Sequence, residues 1–496
     1  MSKLAQVVLL SPPSRSNNHY RPPVALLYLA GYLNKNKIKT EIIDINLSQS
    51  FRSNNFQKNL SNINKKTEKK IISKLKKQSP KIIGITCYTP EFMEVVSLAK
   101  KIRLIHPNTK IVIGGIHPTF YPQDFFPKYN SIFDFLVIGE GELTFLKLCQ
   151  NILSKKNNFK SIKGIAYYDK KKHRLTKTPL RPVTHNLDSI SCPDYSLINM
   201  NYYSTANPYA IRGCFFRSAY ILATRGCPSQ CTFCVSKKLR QYSGGGVYTR
   251  MRTAESLINE ISLLYKKYKI DSFYFIDDLF TVNKDNVKKF CDLLIKNHLN
   301  IPWACSSKVS TLDDKTLKLM AKSGCVQIDF GVERGSNQAL NQLKKGISIE
   351  MIKNIFNLCH KYNIRTFANF LVNIPNESKK DLNDIVRLIE YITPDVISIN
   401  IFIPYPGTEI YDNMTYKFKP EEYFDLFYAN QLIYKQPHKY KFHSHNIDIL
   451  KWTDKHSRKY NKIWPAIKFH LSPIYIKSIF KSRQKTDYLK QIKNLF

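Results

Sequence analysis

The sequence predicts an α/β protein. It reads as a Rossmann-like (flavodoxin-type) open parallel sheet, then a partial (β/α)6 barrel, then a small and mostly helical C-terminal region. Three observations carry this reading. Short apolar runs alternate with amphipathic stretches through the first 150 residues, a second such alternation runs from Ser218 to about Thr408, and beyond about 416 the alternation stops. Parallel neighbours need crossover helices, so regular strand–helix alternation points to parallel sheets.

In the first domain, residues 1–150, the expected strands are Val7–Leu10, Thr40–Asp44, Lys81–Thr86, Lys110–Gly114 and Asp134–Ile138. Between them lie stretches such as Glu91 to His106, where Phe92, Val95, Val96, Ala99 and Ile102 recur at helical spacing. Open parallel sheets bind ligands at the carboxyl ends of their strands. Here those ends are rich in Gly, Pro and small hydroxyls: Ser11-Pro12-Pro13, Thr86 to Pro90, Gly114 to Thr119, and Gly139-Glu140-Gly141-Glu142. A connector, 151–215, carries a hairpin signal from Gly164 to Thr176, and Pro179, Pro182, Pro193 and Pro208 keep the rest irregular. The barrel, 216–415, has candidate strands Tyr220–Thr224, Ser272–Ile276, Trp303–Ser306, Val326–Gly331, Thr366–Val372 and Val396–Phe402. Its chemistry belongs on the loops after those strands. The tail, 416–496, gains aromatics and basic residues and reads as a helical cap, with a surface-seeking segment in peripheral membrane contact as the second reading.

Among 496 residues, 77 basic side chains against 37 acidic ones give a net charge of +40. The Lys are scattered, and the densest run, Lys58 to Lys77, reads as the solvated face of a helix. Nucleic-acid readers concentrate Arg and stacking aromatics in one patch, so no specific nucleic-acid partner is expected. At 43 % apolar residues the chain can pack, and no run approaches the roughly 18 apolar residues of a membrane span. The first strand begins at Ala5 with no secretory signal ahead of it, so a cytoplasmic protein is expected.

Eleven cysteines without an export signal favour metal or redox chemistry over disulfides. Eight of them, Cys87, Cys149, Cys192, Cys214, Cys291, Cys305, Cys325 and Cys359, are scattered and read as small core residues. The other three form Cys227-Pro228-Ser229-Gln230-Cys231-Thr232-Phe233-Cys234, in the loop after the first barrel strand. Three thiolates on one tight loop can hold three irons of a four-iron cubane and leave the fourth open to a substrate or cofactor. Structural zinc wants four ligands, usually as two paired half-sites, and Cys214, thirteen residues before the triplet, is the nearest additional cysteine.

The triplet, with Phe233 before its last cysteine, resembles the radical S-adenosylmethionine (SAM) superfamily. The resemblance continues through Phe275-Ile276-Asp277-Asp278, Trp303-Ala304-Cys305, Gly331 to Ser336, Lys345-Gly346 and Pro404 to Thr408. Residues 85–90, 114–119 and 137–142 are similar to the cobalamin-binding domain of the same enzymes, the group that contains the anaerobic magnesium-protoporphyrin monomethyl ester cyclase and many methyltransferases. The likeness covers about residues 1 to 410. It implies a 4Fe-4S cluster on Cys227, Cys231 and Cys234, SAM on the open iron, and reductive cleavage of SAM to methionine and a 5′-deoxyadenosyl radical. It places Asp277 against the methionine amino group, Glu333 at the ribose or amino end, and the Asn373 loop near adenine, with Phe233 beside the cofactor. Cobalamin would use Thr86, Tyr88, Thr89, Gly114, Gly115, His117, Gly139 and Glu140, with no histidine beneath the cobalt. The implied partners are a small-molecule substrate, with lipid-like and tetrapyrrole compounds among the classes that fit, and an electron donor such as flavodoxin or ferredoxin.

Methylation of an unactivated carbon is the first reading, and oxidative cyclisation the second. A tRNA-modifying methylthiotransferase-like enzyme would carry three further cysteines in its N-terminal domain, where residues 1–150 hold Cys87 and Cys149. A non-catalytic cobalamin binder would leave an intact cluster motif idle. Three residues depart from the family pattern: Asn373 stands where relatives usually have Gly, Lys308 where many have Arg, and Arg334 where a small residue is usual.

Overall fold

The structure is a computed structural model that describes residues 5–12, 21–44, 67–190 and 192–461. Strands β1 (Val7–Leu10), β2 (Thr40–Ile43), β3 (Ile82–Thr86), β4 (Lys110–Gly114) and β5 (Phe135–Val137) form a parallel sheet in the order β2-β1-β3-β4-β5. That is the flavodoxin-like order, whose ligand crevice lies where the connections reverse direction, between β1 and β3. Every residue of β1 and β5 is buried, as helices on both faces of a parallel sheet require. The hairpin assigned from sequence to the connector instead extends this sheet: β6 (Ile165–Asp169) pairs antiparallel with β5, and β7 (Arg174–Lys177) with β6. It covers an edge of β5 that would otherwise present unpaired backbone groups.

The second sheet has six parallel strands in the order β15-β14-β13-β12-β11-β8. They are β8 (Ser218–Ile221), β11 (Ser272–Phe275), β12 (Trp303–Ser307), β13 (Cys325–Glu333), β14 (Arg365–Val372) and β15 (Val396–Ile401). A two-stranded antiparallel ribbon, β9 (Thr224–Arg225) with β10 (Arg250–Met251), frames the cysteine loop. The helices Ala254–Tyr268, Lys284–Lys296, Asp314–Lys322, Ile349–Lys361 and Lys379–Ile392 start at Thr253, Asn283, Asp313, Ser348 and Ser378. Each of those side chains accepts a backbone N–H of the first turn, which supplies a partner the helix itself lacks there. Their apolar stripes, such as Leu382, Ile385, Leu388 and Ile392, pack onto the outer face of the sheet.

Seven of the eight scattered cysteines are buried, as expected; Cys192 is exposed. Residues 67–76 form a helix with Ile71 and Leu75 buried and Lys69, Lys70, Lys74 and Lys76 exposed, so this part of the basic run is a solvated helix face. The described residues after Thr408 are mostly helical. The helix Ile449–Tyr460 ends at Asn461, whose amide pairs with both the N–H and the carbonyl of Ile397 and so covers the outer edge of β15. Trp452 packs half-buried against the core, whereas Trp464, Phe469, Tyr475, Ile476, Ile479 and Phe480 lie outside the described residues. Among the described residues no helix is long and apolar enough to cross a membrane.

Candidate functional site

The cysteine loop leaves β9 through Gly226, whose φ is +83° and where any Cβ would run into the Tyr248 carbonyl, so only glycine fits. Cys231 is buried; Cys227 and Cys234 are half-buried. The loop is held from several sides. Arg240 donates to the Cys227 carbonyl at 3.0 Å, Thr232 N–H to the Leu343 carbonyl at 3.1 Å, and Cys234 N–H to the Cys231 carbonyl at 3.2 Å. Two ammonium groups lie beside it: Lys308 donates to Ser229 Oγ at 3.1 Å, and Lys345 sits 5.6 Å from the Phe233 ring centroid. Burial pushes the Cys231 thiol up, and both lysines pull the other way. Three unpaired thiols with adjacent cations suit a thiolate-bound cluster. Among the described residues no three metal-binding side chains converge on one ion, and a cubane does not require it, because each thiolate binds its own iron.

The carboxylates assigned from sequence take distinct places. Asp277, at the end of β11, accepts from Ala223 N–H at 2.8 Å, Thr224 N–H and Thr224 Oγ1 at 3.0 Å through Oδ1, and so ties the end of β8 to its neighbour. Its Oδ2 is buried without a hydrogen-bond partner among the described residues. Burial pushes this carboxyl up to about 7. Glu333 adopts φ +66° and accepts from Lys345 at 2.7 Å, which places it against the cation next to Cys231. The sequence pattern gives Lys345 no role; the fold brings it back onto Glu333 across the short helix Asn337–Gln342.

Asn373 corrects an expectation. Its amide donates to the Tyr440 carbonyl at 2.7 Å, and its Oδ1 accepts from Phe442 N–H at 3.0 Å. The side chain is fully buried and spent on the C-terminal segment, so it has no group left for adenine. A cavity of ≈ 390 Å³ opens between Phe233, Leu371, Ile401 and Phe402, with Asn400, Asn430 and Thr453 as polar groups. No charged side chain lines it among the described residues.

At the strand ends of the first sheet, Gly114 leaves open space, since a Cβ there would meet only Val137 at 3.9 Å. Gly115 at φ +109° and Gly139 at φ +78° hold conformations that favour glycine. Thr86 is half-buried and Tyr88 exposed beside them. Room without side chains next to a hydroxyl suits the cobalamin tail. Glu140 does not remain free for it: both its oxygens accept from Arg250, at 3.2 and 2.5 Å.

His117 is also withdrawn from the strand-end opening. It is fully buried, its ring centroid 4.8 Å from Phe92, 5.5 Å from Phe125, 5.8 Å from Tyr121 and 5.3 Å from Tyr423. Nδ1 lies 3.3 Å from Thr89 Oγ1 and Nε2 3.4 Å from Asp124 Oδ2, so Thr89 likewise faces the histidine. An imidazole caged in this way cannot swing beneath a cobalt without emptying the cage; the other candidate, His19, lies outside the described residues.

Burial lowers His117 from 6.5 to about 3 and raises Asp124 from 3.8 to about 6. Between pH 6.5 and 3 the unfolded chain binds a proton at His117 that the folded chain refuses, so stability falls as pH falls. Between about 6 and 3.8 the folded chain holds a proton on Asp124 that the unfolded chain has lost, so stability rises as pH falls. The two slopes oppose each other. Asp124→Asn is therefore expected to steepen the acid loss of stability and His117→Gln to flatten it, each by up to about 1.4 kcal/mol per pH unit. Urea midpoints between pH 4 and 7 measure both, and equal slopes in the two variants would refute the assignment.

The two domains meet at the cysteine loop. Phe120, after β4, lies 5.6 Å from the ring of Tyr242, and Lys238 sits 5.4 Å from the Phe120 ring centroid. The strand ends of the first sheet and the cluster motif thus share one interface.

Comparison with known proteins agrees with both halves. Residues 18–148 match the B12 binding domain and residues 221–389 the Radical SAM superfamily. The chain is 30 % identical over 416 residues to the uncharacterized methyltransferase PH0819 of Pyrococcus horikoshii, covering 83 % of each protein. It is 27 % identical over 402 residues to the anaerobic magnesium-protoporphyrin IX monomethyl ester cyclase of Rubrivivax gelatinosus, covering 79 % of this chain and 66 % of the cyclase. In fold it is similar to the radical SAM methyltransferase TsrM of Kitasatospora setae, with a TM-score of 0.65 at 17 % identity over 82 % of this chain and 75 % of that one. It is also similar to the cobalamin-dependent radical enzyme OxsB, with a TM-score of 0.63 at 20 % identity over 92 % of this chain and 61 % of that one. The chain belongs to the cobalamin-binding radical SAM enzymes, whose cofactors are a 4Fe-4S cluster, SAM and cobalamin.

Proposed function

We propose that the protein methylates an unactivated carbon of a small molecule. The observation that carries this reading is the uncharged cavity beside Phe233 of the cluster loop, lined by Leu371, Ile401 and Phe402 together with Asn400, Asn430 and Thr453. A carbon without an activating group offers no charge to pair with, and burial in such a cavity holds it by apolar contact. The methyltransferase relative supports the same reading, and the cyclase relatives keep oxidative cyclisation as the second one. When bound, the cluster supplies the electron that cleaves SAM, and cobalamin supplies a methyl carrier.

The chain's own residues do the rest. Cys227, Cys231 and Cys234 hold the cluster, and Phe233 forms the wall between it and the cavity. Asp277 Oδ2, buried and unpaired, would gain the SAM ammonium as its missing partner. Glu333 and Lys345 hold each other beside Cys231, where a ribose hydroxyl would meet the carboxylate. Thr86, Gly114 and Gly115 would line the cobalamin tail. Tetrapyrrole-like and lipid-like substrates both belong to the apolar class. The net positive charge suits an acidic electron donor of the flavodoxin or ferredoxin kind. A cytoplasmic site of action, with the C-terminal region closing the cavity rather than touching membrane, completes the reading.

Methylation and cyclisation differ in what they leave behind. Methyl donation turns SAM into S-adenosylhomocysteine, and radical formation turns a second SAM into methionine and 5′-deoxyadenosine. Anaerobically reconstituted protein with substrate is expected to release the two nucleosides in about equal amounts. Steady 5′-deoxyadenosine with no S-adenosylhomocysteine would refute methylation and favour cyclisation.

A further inference from the structure

The ribbon that frames the cysteine loop contains a conflict. Arg225 on β9 and Arg250 on β10 are direct cross-strand partners. Like charges at that spacing repel, and a ribbon of two residues per strand has little backbone pairing to resist them. The compensating charge comes from the other domain. Arg225 donates to both oxygens of Glu142, at 3.2 and 2.6 Å, and Arg250 to both oxygens of Glu140. Arg225 also lies 3.8 Å from Glu140, so the four groups form one alternating cluster. Paired forks of this kind fix geometry as well as charge. Burial would push the Glu142 carboxyl up, yet the Arg225 guanidinium holds it below the ordinary range. Arg250 reaches the connector too, donating to the Thr184 carbonyl at 2.7 Å.

The glutamates belong to Gly139-Glu140-Gly141-Glu142, at the end of the first sheet; Arg225 immediately precedes Gly226-Cys227, and Arg250 is its cross-strand partner. We infer that Glu140 and Glu142 are positioning residues: they close a ribbon that would otherwise repel itself, so that seating Cys227 depends on the cobalamin domain being docked. Glu140 thereby acts on the cluster loop and not on cobalamin. On the methyltransferase reading, the same dependence ties radical formation to the presence of the methyl-carrying domain.

The test uses full-length protein loaded with cluster and cobalamin. In Glu140→Gln/Glu142→Gln, amide hydrogen exchange at residues 224–227 and 248–251 is expected to accelerate at least about tenfold, while β11 to β13 stay unchanged. The unchanged strands exclude general misfolding, and single Glu140→Gln gives a milder variant of the same effect. Adding Arg225→Gln and Arg250→Gln removes the repulsion and is expected to restore most of the protection. Unchanged exchange at the ribbon, or no restoration in the fourfold variant, would overturn the clamp whatever the reaction is. The coupling rests on the methyltransferase reading and has its own readout: 5′-deoxyadenosine formation is expected to fall at least about fivefold. Unchanged 5′-deoxyadenosine formation with a loosened ribbon would overturn the coupling alone.

Discussion

Changing Cys227, Cys231 or Cys234 to Ala is expected to reduce SAM cleavage to background in each single variant. The loop supplies three thiols, and cluster ligation has no reserve there: Cys214 is buried against Arg365, whose guanidinium lies 3.6 Å from its sulfur. Loss of one thiolate leaves an iron without its protein ligand, and the loop's anchors to Leu343 and Arg240 keep the remaining two from closing the gap. Cys231→Ala is the most informative of the three, because this thiol is buried and both Lys308 and Lys345 favour its thiolate. Iron content and 5′-deoxyadenosine formation measure the outcome. Full iron occupancy with undiminished cleavage in any one variant would refute the ligand assignment.

Arg334→Ala is expected to destabilise the protein by about 3–5 kcal/mol. Arg334 is entirely buried and donates to Glu377 Oε2 at 2.5 Å and to the Leu371 carbonyl at 2.8 Å. Glu377 is equally buried; it accepts from Asn373 N–H at 3.1 Å, lies 3.2 Å from His445 Nε2, and its carbonyl accepts from Ser444. Removing the arginine leaves that carboxylate without its cation, and breaking one side of a buried pair costs far more than the pair contributes. Arg334→Lys keeps the charge but not the fork, so it recovers only part of the loss. Arg334→Met combined with Glu377→Gln is expected to cost less than the sum of the two single changes. Urea unfolding of the reduced apoprotein measures all of these. A cost for Arg334→Ala below about 1 kcal/mol, the scale of an exposed pair, would show that the pair is not buried in solution.

This pair also accounts for two of the family departures. The family pattern that the sequence resembles implies Gly at the position of Asn373 and a small residue at that of Arg334, and here both side chains reach the Tyr440–His445 segment, directly or through Glu377. Together they fasten the C-terminal region to the loop after β14, immediately beside Glu333.

Periodicity and spacing were enough for much of this protein. Strands β1 to β5 and the six barrel strands fall within three residues of their expected places, because a parallel strand buried on both faces is a continuous apolar run that local sequence must encode. The cysteine triplet was legible for a similar reason: cluster ligation needs three thiols on one short loop, and a short loop is contiguous in sequence. Long-range pairing was not legible. Glu140 and His117 stand in loops of the right composition, but whether a side chain faces a cofactor or a neighbour depends on partners such as Arg250, Asp124 and Tyr423, which lie 110, 7 and 306 positions away. Asn373 looked like a loop residue near adenine until Tyr440 and Phe442 claimed its amide. Sequence by itself determined the strands of the two sheets and the cysteine triplet, since each is written in local periodicity or spacing. Only the tertiary structure decided which charged side chains pair across domains, because a buried charge takes whichever opposite charge the fold brings within reach, at any sequence distance.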